Sequence, residues 1–531
     1  MLDLVLEGGT IYDGSGGEAY QADIGLAAGK IVEIGELDEM QAAERLDVSG
    51  LAVSPGFVDL HTHSDFTLLV NGNAESQVHQ GVTTEVVGQC GFSCAPVTCD
   101  ADIEKTGVGY IHDCIALGWR SFGDYLERLR ATPLGVNVAA FVGHGTVQRA
   151  VIGDALRPPD PDELGRMRGL IEEAFEQGAC GLSTGLEYWP GSLSSIEHLV
   201  PLCEVAAKRD ALYATHVRNR DIHYDLGFSE AIATARAAGA RLQISHIQTK
   251  FGAPAYAMDH TLELVAAGQR HGVDIAFDVI PHDWSHTGVA AILPPWAQEG
   301  GAKALLDRLS DPQQRERMKR NPKPMWRLVT AGRWDDIILL RSDANPNLVG
   351  ATFAEIGRDR GVHPYDAVLD LLREEGEGLH HLLWTSRSFS NDDVRLCLQQ
   401  ADCAVISDTQ ALAPYGALAS QIGSLSGYGW AARFLSRYVR DERVIALGDA
   451  IRKLTALPAQ RLGLRNRGLI EPGYRADITV FDAGEIASHC TVEEPRRYAS
   501  GIAHVLVNGT PVIRDGQRTE HNPGEVLRRA T

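Results

Sequence analysis

Six residues of this chain have the types and placement to share a metal ion. Two stand in "GFVDLHTHSDF", Gly56 to Phe66, where an apolar run ends in His61 and His63. The others each close a similar run: "EVVGQC" ends in Cys90, "YATH" in His216, "LQISH" in His246 and "AVISD" in Asp408. Zinc accepts thiolate, imidazole and carboxylate ligands, and a hydrolytic zinc site keeps one position open for water. Taken singly, each residue has a plainer account. A histidine at a strand end is a polar rim residue, Cys90 a small buried hydrophobe, and Asp408 a helix N-cap in "SDTQ". Four His, one Cys and one Asp closing comparable runs together favour a metal site. Zinc is argued from ligand softness, with manganese, cobalt and iron as competitors.

The elements that must position these residues follow from periodicity. Alternate strand residues face the same side, so His61 and His63 can point inward together. Eight apolar runs, "FVDLHTH", "TTEVVGQ", "NVAAFVGHG", "ACGLSTG", "ALYATHV", "RLQISHI", "DIAFDVI" and "CAVISD", alternate with amphipathic segments such as "ELGRMRGLIEEAFEQG". Strands alternating with helices imply βα units and a parallel sheet, and eight fit an α/β (β/α)8 TIM barrel. Such barrels build their sites at the C-terminal ends of the strands, where all six candidates stand. A ninth run, "HLLWTS" from His381 to Ser386, is surplus. The expected barrel spans 56–465, with an insertion at about 287–347 that carries "LPPWAQEGG". Residues 1–55 and 466–531 alternate apolar and polar positions between Gly-rich turns, which predicts a small β-sandwich domain built from both chain ends.

With 49 Lys and Arg against 70 Asp and Glu, the net charge of −21 argues against a nucleic-acid partner. No apolar run approaches the roughly 18 residues of a membrane span. "MLDLVLEGGTIYDG" has no basic segment before an apolar stretch, so no secretory signal is expected. Nine scattered cysteines fit a reducing, cytoplasmic chain with free thiols. A small-molecule substrate is the expected partner; no heptad or apolar element sets an oligomeric state.

The motifs run in an order similar to that of the amidohydrolase superfamily, and within it the N-acyl-D-amino-acid deacylase (D-aminoacylase) family. "SGLAVSPGFVDLHTHSD", "QGVTTEVVGQCGFSCAPV", "FVGHGTVQRAVIG", "GLSTGLEYWPG", "THVRNR", "ISHIQTK", "AAILPPWAQEGG" and "AIRKLTALPAQRLGLRNRGLIEPGYRADITVFD" carry the resemblance nearly end to end. It implies that Cys90, His216 and His246 hold a tight zinc, while His61, His63 and Asp408 form a second, weaker site. It also implies Asp408 as general base and acid, passing a proton from water to the leaving nitrogen.

The substrate pocket departs from the family. Where family members carry "PHPR" after the last strand, Ser426 stands near the arginine's place. Gln248 replaces the usual Lys, with Lys250 close by, and "IPHDWSHTG" replaces "YPYTAGST", adding His282, Asp283 and His286. Arg218 and Lys250 are cations able to hold an anionic group or to pair within the rim. Tyr188 and Trp189 could line the pocket, and Glu187 stands near the site by strand position. The expected reaction is metal-dependent hydrolysis of the amide C–N bond of an N-acyl amino acid, of D configuration by the resemblance. One alternative is a cyclic-amide or ureido hydrolase, dihydroorotase-like or hydantoinase-like, which a carboxylated lysine after the fourth strand would favour; "GLSTGLEYWPG" has none. The other is a non-catalytic scaffold, which should have lost several ligands.

Overall fold

A computed structural model describes every residue except 321, 323–325, 420, 422–423 and 530–531. Its centre is a parallel sheet of eight strands in sequential order: β1 (Phe57–Asp59), β2 (Val82–Val87), β3 (Asn137–Gly143), β4 (Gly181–Gly185), β5 (Leu212–His216), β6 (Arg241–Ile244), β7 (Ile275–Val279) and β8 (Cys403–Val405). These are the eight apolar runs. Nearly every residue in them is buried, which is why they read as continuous rather than alternating hydrophobic stretches.

The helices between strands follow local rules. In Pro161–Gln177 the Asp160 carboxylate accepts the Glu163 amide at 2.8 Å and Pro161 opens the first turn. Met167, Ile171 and Ala174 then recur on the buried face. The ring closes between β1 and β8 without a regular strand pair. The Ser407 amide donates to the Asp59 carboxylate at 3.1 Å, the Asp408 amide to the His61 carbonyl at 3.1 Å, and the His63 amide to the Thr409 carbonyl at 2.7 Å. The result is a TIM barrel.

Both chain ends meet in one nine-stranded sheet, a small β domain beside the barrel. Leu2–Ile11 pairs with Tyr20–Ala27, and Ala52–Pro55 pairs antiparallel with Ile478–Phe481. Two-residue turns at Asn508-Gly509 and Asp515-Gly516 have positive φ at both positions, as a hairpin with right-handed strand twist requires.

Between β7 and β8 the chain builds a separate body. Ser285–Gly288, Leu383–Ser386 and Ile337–Arg341 form an antiparallel sheet with Leu383–Ser386 at its centre. The surplus ninth run is therefore the middle strand of this body and not part of the barrel. Its apolar cluster runs from Val289 past residue 347 to Trp384, and Trp326 meets Trp384 edge-on at 5.3 Å. Among the described residues no helix is long and apolar enough to cross a membrane.

Candidate metal centre

The strand ends deliver the candidate ligands through strained turns. Cys90, His246 and Asp408 have φ of 53°, 33° and 50°, a region that side-chain-bearing residues rarely occupy. The turn after β2 also presses on β4: a Cβ on Gly185 would lie 1.9 Å from the Cys90 carbonyl oxygen, so only glycine fits there.

Cys90 Sγ lies 3.3 Å from His61 Nε2, 3.6 Å from His216 Nδ1 and 3.5 Å from His246 Nε2. Asp408 Oδ1 lies 3.3 Å from His61 Nε2 and 3.2 Å from His63 Nε2. A tetrahedral zinc with the usual bond lengths sets sulfur and nitrogen about 3.6 Å apart. The thiol and imidazoles therefore fit that ion by spacing as well as by donor type. All six expected residues are brought together. The four whose donor atoms lie within 4.8 Å of one another are His61, Cys90, His246 and Asp408, drawn from both of the expected sites. His61 joins the halves, and His216 and His63 flank them.

Burial opposes charge on His61, His63, Cys90, His246 and Asp408, and the neighbours help decide the outcome. At His246 burial prevails, helped by Arg220, and the pKa falls to about 3. At His63 burial is outweighed by Asp408 and Cys90, and the pKa rises to about 9. Burial raises the Cys90 thiol, but His61, His216 and His246 together hold it well below its ordinary value. The Asp408 carboxyl is likewise held well below the usual range, burial being overcome by His246, His61 and His63. A thiolate and a carboxylate enclosed by imidazoles form a donor set for a cation.

Behind the ligands, His216 Nε2 meets Glu187 Oε2 at 2.7 Å, which leaves Nδ1 to face Cys90. Lys250 Nζ also binds Glu187 and sits 4.1 Å from the centre of the Trp326 ring. The His246 amide donates to Asp278 Oδ1 at 2.6 Å, and that oxygen lies 4.0 Å from His61 Nδ1.

The centre opens into a cavity of about 190 Å³ lined by His63, Cys90, Tyr188, His246, His286 and Asp408, among others. Tyr188 packs 4.8 Å from the His216 ring. Trp189 also lines the cavity. Arg218, Lys250 and Asp283 do not. Arg218 is spent on Glu230 at 2.9 Å and on the Ser192 carbonyl at 2.7 Å. Asp283 pairs with His282 at 3.2 Å and Arg387 at 3.4 Å. Gln248 is a structural clasp on the chain after β7, donating to the Ile280 carbonyl at 2.7 Å and accepting its amide at 3.0 Å. Ser426 is buried and does not line the cavity. Sequence reasoning missed Lys105, Arg149, Arg341, His380 and His381, which do. Arg149 lies within the quoted "FVGHGTVQRAVIG", but nothing in its spacing marks it.

Comparison with known proteins gives a consistent result. The amidohydrolase family model matches residues 44–217 and 353–513. D-aminoacylase of Alcaligenes xylosoxydans xylosoxydans is 32% identical over 99% of this chain and 98% of that protein. N-acyl-D-glutamate deacylase of the same organism is 32% identical over 99% and 97%. The crystal structure of N-acyl-D-glutamate deacylase from Bordetella bronchiseptica, complexed with zinc and a phosphonate mimic of the tetrahedral intermediate, is similar over 99% of both chains, with a TM-score of 0.83 and 30% identity.

Proposed function

The chain belongs to the amidohydrolase family, and from that premise we propose that it is a zinc-dependent hydrolase of the amide C–N bond of N-acyl-D-amino acids. The observation that carries the reading is the Asp408 carboxylate, 3.2 and 3.3 Å from two imidazoles on the wall of a cavity that also exposes Cys90. We assign Cys90, His61, His216, His246, His63 and Asp408 as the residues that hold metal. A zinc ion there supplies Lewis acidity to a carbonyl and lowers the pKa of water to about 7. Asp408, kept ionised and 15% exposed in its side chain, takes the proton from the attacking water. It returns that proton to the amide nitrogen as the C–N bond breaks, releasing a carboxylic acid and an amine. Tyr188, Trp189 and His286 bound the space for the substrate.

The cyclic-amide alternative wants a lysine at the end of β4. Glu187 follows that strand instead, engaged with His216 and Lys250. The scaffold alternative wants missing ligands, and all six are present. Nine free cysteines support a reducing, cytoplasmic setting.

The test is a hydrolysis screen of N-acetyl, N-formyl and N-carbamoyl derivatives of D- and L-amino acids, with and without added zinc. Zinc-dependent turnover of N-acyl-D-amino acids is expected; protein that neither contains nor takes up zinc overturns the reading. Glu187 and Lys250 give a further prediction. Lys250→Met removes the cation beside a buried carboxylate, so Glu187 and the His216 ring it orients should loosen. Zinc affinity should fall about 10- to 100-fold, read by chelator competition. Unchanged affinity would mean that the pair serves the fold alone.

A further inference from the structure

We propose that Arg341 is the residue that takes hold of a substrate carboxylate, reaching the cavity from the inserted sheet and not from the barrel. The inference rests on the deacylase reading and asks which cation meets the substrate's negative charge. The two cations marked by sequence are occupied elsewhere: Arg218 by Glu230 and Lys250 by Glu187. Gln248 and Ser426 are neutral.

Among the described residues, three Lys and Arg side chains line the cavity: Lys105, Arg149 and Arg341. The first two share one counter-ion, since Lys105 Nζ lies 2.8 Å from Asp154 and Arg149 binds the same carboxylate. Arg149 is further held against the Trp189 ring at 4.5 Å. Arg341 differs. Its side chain is 6% exposed, yet its one ionic partner among the described residues, Asp343, is 65% exposed. Asp343 meets the Nε and Nη2 edge at 3.2 and 3.0 Å, leaving Nη1 without a protein partner among the described residues. An ion pair whose carboxylate stands in water is screened and compensates the guanidinium weakly.

His380 and His381, on the same wall, do not supply charge. Burial, with Arg149 beside one and Arg341 beside the other, lowers His380 to about 3 and His381 to about 4, so both are neutral near pH 7. Of these three, Arg341 is thus the least compensated cation, and its planar fork matches a carboxylate. Its place in the chain has a simple cause. It is the last residue of Ile337–Arg341, an outer strand of the inserted sheet whose other outer strand, Ser285–Gly288, brings His286 to the same cavity.

The carboxylate could be the α-carboxylate common to all N-acyl amino acids or that of an acidic side chain, and kinetics separate them. The full-length zinc-loaded protein and its Arg341→Gln and Arg341→Lys variants would be assayed on N-acetyl-D-leucine, its decarboxylated analogue N-isopentylacetamide, N-acetyl-D-glutamate and N-acetyl-D-glutamine. For Arg341→Gln, kcat/KM should fall about 10²-fold on carboxylate-bearing substrates and stay level on the analogue, with Arg341→Lys recovering part of the loss. A fall on all three amino acid derivatives assigns the α-carboxylate; a fall confined to N-acetyl-D-glutamate assigns the side chain. Equal losses with and without a carboxylate, or no loss, overturn the proposal. Calorimetric binding of the same ligands to zinc-loaded Asp408→Ala protein reads Arg341 without turnover. There, carboxylate-dependent affinity that survives Arg341→Gln overturns the proposal. Carboxylate-dependent binding that needs Arg341, in a wild type that hydrolyses none of the compounds, supports the proposal and overturns the deacylase reading alone.

Discussion

Cys90→Ala should lose its tightly held zinc and its turnover together. The thiol is the hub of the site: three imidazole nitrogens from three different strand ends lie 3.3 to 3.6 Å from its sulfur. Removing it takes away the one soft anionic donor and leaves imidazoles that hold an ion less firmly. Alanine is small enough for a residue only 4% exposed, so the barrel should survive. Metal content after dialysis, kcat/KM and the unfolding transition give the three readouts. The expected result is a folded protein with zinc well below one equivalent and turnover at background. A stoichiometric, active Cys90→Ala protein would remove Cys90 from the centre.

Asp408 should behave in the opposite way. Asp408→Asn and Asp408→Ala should keep zinc, because Cys90 and the histidines remain, and should lose turnover by about 10²- to 10⁴-fold, the range general acid–base catalysis contributes. Asparagine is the cleaner substitution. It tolerates the left-handed backbone at φ 50° and can still hydrogen-bond the rings of His61 and His63, but it cannot accept a proton from water. Wild-type turnover in Asp408→Ala would end its role as base, whereas loss of zinc along with activity would make it chiefly a ligand.

Much of this arrangement was legible in the sequence because it depends on period and on residue type. Barrel strands buried on both faces read as unbroken apolar runs, and the ligands stand at their ends. The surplus run could not be told from the others, because Trp384 and its neighbours are also enclosed on both sides, in a different sheet. The extent of the inserted body was hidden for a similar reason: Phe353–Arg360 and Pro364–Glu374 carry the same amphipathic pattern as barrel helices. Pairing of charges was not legible at all. Lys250 finds Glu187 across 63 positions, and Arg341 reaches the cavity on a strand that sequence places nowhere near it. The grouping of the candidate ligands depends on the His61 ring lying between Cys90 and Asp408, which no spacing in the sequence reveals.

The closure of the ring also orders the molecule in time. The bond from the Ser407 amide to Asp59 spans 348 residues, and the Asp408 amide and the His61 carbonyl meet in the same seam. A ribosome adds about 5 to 20 residues per second, so the N-terminal ligands leave the tunnel tens of seconds before their last partner is made. During that interval the chain has no sealed barrel and no Asp408. A product truncated before β8 therefore lacks both Asp408 and the seam that closes the barrel. The full set of candidate metal-binding residues exists only once translation has run nearly to its end.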